Sequence, residues 1–126
     1  MRYCPAGSDE FMSDNCRRGE IYLVNWNPGR GSEQSGRRPA LVIQNDTGNK
    51  YSSTTIVAAC STADVKAYPF IVHVTAEESG MDRDSSVNLT QIMTVAKARL
   101  EVKLGALPGT RLPDVDQALK HSLGIQ

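Results

Sequence analysis

With 126 residues, 40% of them hydrophobic, the chain is expected to fold as one domain with a core of its own. Its 14 basic and 14 acidic residues cancel, which excludes a whole-surface basic field for duplex DNA and leaves only local positive patches for nucleic acid. No apolar run is long enough to span a bilayer. The opening residues MRYCPAGSDEFMSDNC carry no apolar h-region, so the expected location is cytoplasmic.

Residues 1–17 are polar, are punctuated by Pro5 and Gly7, and read as a flexible leader before a domain at 18–126. Glu20 to Trp26 (EIYLVNW) is rich in β-branched and aromatic residues and predicts a strand. Asn27-Pro28-Gly29 ends it, and a polar loop follows to Gly36. Pro39 is expected to open a strand or sit at an edge. Ala40 to Gln44 predicts a strand buried on both faces. Asn45 to Asn49 has the composition of a turn. Thr54 to Cys60 and Phe70 to Val74 predict a third and a fourth strand. Gly80 to Ser86 reads as a polar turn, and Val87 to Leu89 as a short fifth strand that Gln91 to Val95 either continues or ends.

Ala96 to Leu104 is divided between helical and strand periodicity. The last element is plainer. Pro113 suits a first helical turn. Val115, Ala118, Leu119, Ser122 and Leu123 then share one face, and Gly124 stands just past the end. Many short strands and one terminal helix predict a mainly β fold, a small, partly closed antiparallel barrel with α additions.

The chemistry-bearing residues are few. The three cysteines fit no zinc spacing, and Cys60 is expected to be a buried thiol with Cys4 and Cys16 incidental. No phosphate-binding or dinucleotide motif occurs and no metal cluster stands out, so neither metal nor cofactor is expected. His73 falls on a strand with Ile71 and Thr75, and His121 falls on the polar side of the last helix. A two-histidine acid/base pair is therefore not expected.

The segment Gly29 to Asp46, GRGSEQSGRRPALVIQND, is different. It runs from a glycine-rich loop into an apolar strand, and the proline after Arg38 holds that arginine in extended backbone. A guanidinium there matches phosphate oxygens bidentately; it equally fits a solvated arginine at a strand edge. Glu33 reads as a loop carboxylate, or as a base or acceptor. Ser61 and Thr62 read as strand-ending hydroxyls, or as donors to a phosphate.

RGEIYLVNWNP, GSEQSGRRPALVIQND, TTIVAACST, YPF and VNLTQIMTV follow one another through the chain. In that order they resemble the MazF/PemK toxins of bacterial toxin–antitoxin systems, from Arg18 to Ile125. The resemblance implies the compact Src-homology-three-like barrel of the MazF/CcdB plasmid-maintenance toxins, commonly as a homodimer. It implies metal-independent, sequence-specific cleavage of single-stranded RNA, often messenger RNA, by attack of the substrate's own 2′-hydroxyl. The expected products carry a 2′,3′-cyclic phosphate and a 5′-hydroxyl. A cognate MazE-like antitoxin is the implied protein partner.

By position, the resemblance makes Arg38 the catalytic arginine and Ser61 the catalytic hydroxyl, where the family has threonine. Thr62 is the alternative if the turn shifts by one residue. Glu33 is the family's loop glutamate, and Gln91 is a base-reading candidate. Thr90 stands where the family often has an acid. Arg37, Gln34, Asn45 and Arg99 complete the candidate RNA contacts. Because arginine stays protonated, Arg38 is expected to stabilise the phosphorane, leaving Glu33 or water to take the 2′-proton. Trp26 and Tyr51 are candidate stacking faces, with core packing the alternative for Trp26. Two rival readings follow: a gyrase-targeting toxin on the same fold, disfavoured by the non-aromatic C-terminus HSLGIQ, and an RNA- or antitoxin-binding module with weak catalysis.

Overall fold

A computed structural model describes residues 15–26, 36–62 and 66–126. The strands are β1 (Glu20–Asn25), β2 (Arg37–Val42), β3 (Thr54–Ser61), β4 (Ile71–Val74), β5 (Ser85–Ala96) and β6 (Leu100–Ala106); the helices are α1 (Asp46–Tyr51), α2 (Ala76–Ser79) and α3 (Leu112–Leu123). All six strands form one antiparallel sheet in the order β4-β5-β3-β2-β1-β6. It does not close, so β4 and β6 are its edges.

Side chains alternate across the pleat, and the central strands bury both faces. On one face Ile21, Leu41, Ala58, Cys60, Val72, Val74, Val87 and Leu89 pack with Val115 and Ala118 of α3. On the other, Val24, Trp26, Ala40, Val42, Val57 and Val95 form a second core that includes Cys16. Cys16 is thus a packed residue, against the expectation of an incidental thiol, and burial raises its pKa. The rest of the expected leader, residues 1–14, lies outside the described residues.

Four local expectations change. Pro39 is interior to β2, yet β2 pairs with β3 only from Ala40 onward while Pro39 faces Leu23 of β1. The missing N–H therefore falls just outside the paired part of the β2–β3 ladder. Asn45 to Asn49 is not a bare turn but the start of α1, because Asn45 Oδ1 accepts the Gly48 N–H at 2.7 Å. Thr75 and Glu78 form a capping box that makes α2 ahead of the expected polar turn. Ala96 to Leu104 resolves as a 3₁₀ turn, Lys97–Arg99, followed by β6, so strand alternation prevails there. Gly105 of β6 is required by close approach: a Cβ would stand 2.3 Å from the Ser79 carbonyl oxygen. Helix α3 is as expected, with Pro113 in its first turn and Gly124 left-handed at φ 72°.

Two features position the site. Strand β3 pairs with β5 along its whole length, but the register breaks between Ala58↔Ile92 and Ala59↔Asn88, so Leu89–Gln91 bulge. Asn88 Oδ1 holds the bulge by accepting from Thr90 N–H at 2.9 Å and Thr90 Oγ1 at 2.6 Å. Edge strand β4 is clamped by Arg111, which donates to the His73 carbonyl at 2.9 Å and to both Glu78 carboxylate oxygens at 2.8 and 2.7 Å.

Candidate active site

A concavity of about 250 Å³ opens on one face of the sheet, lined by Arg38, Ala59, Cys60, Ser61, Ile71, Ser86, Asn88 and Gln91. Register explains the gathering. Ala40 pairs with Ala59, and continuing this antiparallel ladder two residues sets Arg38 beside Ser61. Ser61 in turn pairs with Ser86, and Ser86 with His73. Arg38, Ser61, Ser86 and His73 thus form a single row across β2, β3, β5 and β4. The β5 bulge brings Gln91 to the same concavity; re-aiming a side chain beside a site is a recurrent use of bulges.

Arg38 and its neighbour Arg37 point apart, as successive strand residues must. Arg37 is neutralised by Glu101, with Nε donating at 2.6 Å. No ion pair engages Arg38 among the described residues, so its guanidinium is available to an anion in the cavity. Ser61 and Thr62 separate for the same reason: Thr62 lines a different cavity, of about 470 Å³, with Pro39, Met81, Arg83 and Lys103. Cys60 lines the first cavity too, but burial pushes its thiol up to about 12, and a neutral thiol is a poor nucleophile.

The other candidates lie apart from the cavity. Asn45, at the far end of β2, is committed to capping α1. Arg99, in the 3₁₀ turn, donates to the Asn25 carbonyl at 3.0 Å. Trp26 is buried in the second core and only 8% exposed, which resolves its role as packing. Tyr51, 69% exposed, sits on α1 with the Lys50 Nζ 5.3 Å from its ring centroid. Glu33 and Gln34 lie outside the described residues. Sequence reasoning missed Ser86 and Asn88 as site residues. Their signal is the alternation of polar Ser86, Asn88 and Thr90 with buried Val87 and Leu89, hidden because the strand was read as starting after Ser86. Among the described residues no group of three or more histidines, cysteines and carboxylates is placed to hold a metal ion.

An open antiparallel sheet that sets an arginine, a hydroxyl and amides around one cavity defines a candidate phosphodiester-binding protein. The family described as "PemK-like, MazF-like toxin of type II toxin-antitoxin system" matches residues 17–123. The curated "Endoribonuclease MazF" of Staphylococcus epidermidis is 47% identical over 110 residues, covering 86% of this chain and 92% of that protein. The crystal structure of MazF (Form-I) from Deinococcus radiodurans superposes with a TM-score of 0.72 at 26% identity, over 87% of this chain and 97% of that one. An endoribonuclease in complex with its cognate antitoxin from mycobacterial species shares the fold, with a TM-score of 0.73 at 21% identity over 88% and 97% of the two chains. The chain belongs to the PemK/MazF family of endoribonuclease toxins.

Proposed function

We propose that this chain is a sequence-specific, metal-independent endoribonuclease that cuts single-stranded RNA, messenger RNA in particular, at the Arg38–Ser61 cavity. The observation that carries this reading is the cross-strand placement of Arg38, free of ion pairs among the described residues, beside Ser61 in a concavity also lined by Gln91. Single-stranded RNA suits such a site because its bases splay and its 2′-hydroxyl is an internal nucleophile. The 2′-oxygen bonds to phosphorus as the bond from phosphorus to the 5′-oxygen breaks, giving a 2′,3′-cyclic phosphate and a 5′-hydroxyl. Arg38 offsets the negative charge that builds on the phosphorane, and Ser61 donates to a non-bridging oxygen. Glu33 or water takes the 2′-proton, and a proton from solvent water goes to the leaving 5′-oxygen, which departs as the 5′-hydroxyl. Gln91 reads a base edge, Gln34 adds an RNA contact from the loop, and Arg37 adds one at its junction through the guanidinium nitrogens that Glu101 does not take.

The reading extends to partners. The chain acts as a cytoplasmic homodimer and is neutralised by a MazE-like antitoxin. Support for the antitoxin comes from the MazE-MazF (Form-III) structure of Deinococcus radiodurans, 25% identical with a TM-score of 0.70 over 88% of this chain and 98% of that one. No described helix is long and apolar enough to cross a membrane.

The test is incubation of the purified protein with a long single-stranded RNA in EDTA, with Ser61→Ala and Thr62→Ala in parallel. Discrete cleavage with cyclic-phosphate ends is expected, slowed in Ser61→Ala and retained in Thr62→Ala. Intact RNA, or cleavage that needs added metal, refutes the reading; the reverse pattern of the two variants moves the hydroxyl to Thr62.

A further inference from the structure

We infer that His73, oriented by Ser86, together with Asn88 forms a subsite that reads an acceptor-rich nucleobase edge next to the cleaved nucleotide. The inference rests on the ribonuclease reading and adds to it the residues that set sequence preference.

The row Arg38–Ser61–Ser86–His73 crosses four adjacent strands. With strands about 4.8 Å apart, His73 lies about 14 Å from the Arg38 end. That spacing suits a flanking nucleotide on a strand lying across the sheet. The cavity is also chemically divided. Among the described lining residues Arg38 is the one cation, while Ser86, Asn88 and Gln91 at the other end are neutral hydrogen-bonding groups. Charge at one end and neutral donors at the other match a phosphate at the first and a base at the second.

His73 is pre-positioned twice. Its carbonyl accepts from Arg111 Nη2 at 2.9 Å, and its Nδ1 is 3.1 Å from the Ser86 hydroxyl. Ser86 is 6% exposed, so its side chain is a fixed support. In the inferred subsite that hydroxyl donates to Nδ1, so that Nε2 carries the proton and donates outward. The Asn88 Oδ1 is occupied by Thr90, which leaves its Nδ2 amide as a second donor into the cavity. Two donors select a base edge with acceptors, such as the O6 and N7 of guanine or a uracil carbonyl. Ile71, the cross-strand partner of Asn88, supplies an apolar surface between them.

The experiment compares wild type, His73→Ala, His73→Gln, Ser86→Ala and Arg38→Ala on an RNA library randomised around the cleaved site, with KM and kcat for the best sequence. Wild type is expected to prefer guanine or uracil at one flanking position. His73→Ala lowers that preference about tenfold and raises KM more than it lowers kcat. Ser86→Ala does the same to a smaller extent, and His73→Gln, which keeps an amide donor, recovers part of the preference. His73→Ala cutting the same sequences with the same KM overturns the inference while Arg38→Ala inactivity upholds the ribonuclease reading. A uniform loss across all sequences with a shallower salt dependence also overturns it, since that marks a phosphate contact. Wild-type protein that leaves RNA intact, or an Arg38→Ala variant as active as wild type, removes both readings.

Discussion

The two ends of strand β2 are built from the same kinds of residue and do opposite work. At the Val42 end the polar groups satisfy one another. Asn45 caps α1, and Asp46 accepts the Arg18 backbone N–H at 2.7 Å. The buried Asn49 accepts from Thr55 Oγ1 at 2.6 Å and from Gln44 Nε2 at 3.0 Å, and donates to the Gln44 carbonyl at 3.0 Å. Lys97 donates to the Asn49 carbonyl, and burial lowers its pKa. Arg18 closes the knot by donating to the Ile43 carbonyl at 2.9 Å and pairing with Asp116 of α3 at 2.6 Å. At the Arg37 end, one arginine pairs with Glu101, and the next faces a cavity with no ion pair among the described residues. A closed network fixes the fold because a buried polar group left unpaired costs free energy; a guanidinium outside such a network can turn to a ligand.

That contrast is broken most severely from the open end. Arg38→Ala is expected to lower RNA cleavage about 100- to 1,000-fold, as loss of a transition-state donor does, with an unchanged melting temperature. A large drop in melting temperature would show Arg38 to be a structural residue like Arg18. From the closed end, Asn49→Ala strands Thr55 Oγ1 and the Gln44 amide, and should cost about 2–3 kcal/mol of stability in urea unfolding. Its cleavage rate well below the melting transition should match wild type; a lost rate with intact folding would couple the two ends.

Milder changes sharpen the comparison. Asn45→Ala removes the α1 cap and should cost about 1 kcal/mol without altering the cleavage pattern, whereas a changed pattern would restore Asn45 as an RNA contact. The smallest effect concerns acid. The Thr75 backbone N–H, then Arg111, hold the Glu78 carboxyl below its ordinary value. A depressed carboxyl contributes stability that is complete above the unfolded pKa and is lost as pH falls through the folded one. Wild type should therefore lose this contribution below about pH 4.5, while Glu78→Gln should show a flatter acid limb in unfolding titrations. Identical limbs would mean that the clamp on β4 carries no pH dependence.

Much of the fold was legible in local pattern. EIYLVNW and TTIVAAC announced strands because β-branched runs fit a pleated, buried surface. Pro113 and Gly124 bracketed α3 because their backbone restrictions are local. The short helices were harder. Asn45 read as a turn residue and Thr75 as part of a strand face with Ile71 and His73, and each becomes a helix cap only when its side chain meets the N–H three residues on. Strand β5 read as fragments because its bulge at Leu89–Gln91 interrupts the alternation, and pairing with β3 is what joins the pieces.

The sequence by itself determined the kinds of group available. These are an arginine fixed before a proline, a hydroxyl pair after an apolar strand, a C-terminal helix, and family blocks in order from Arg18 onward. Tertiary structure alone decided which of those groups meet. Arg37 and Arg38 are adjacent in the chain, as are Ser61 and Thr62, and nothing in their spacing says which member of each pair faces the cavity. Strand register decides it, because cross-strand neighbours share a face and a slip of one residue would reverse every side chain. The same register sets Ser86 and His73 in line with Arg38 although the chain separates them by dozens of residues, and so extends the Gly29–Asp46 segment into a row that crosses four of the six strands.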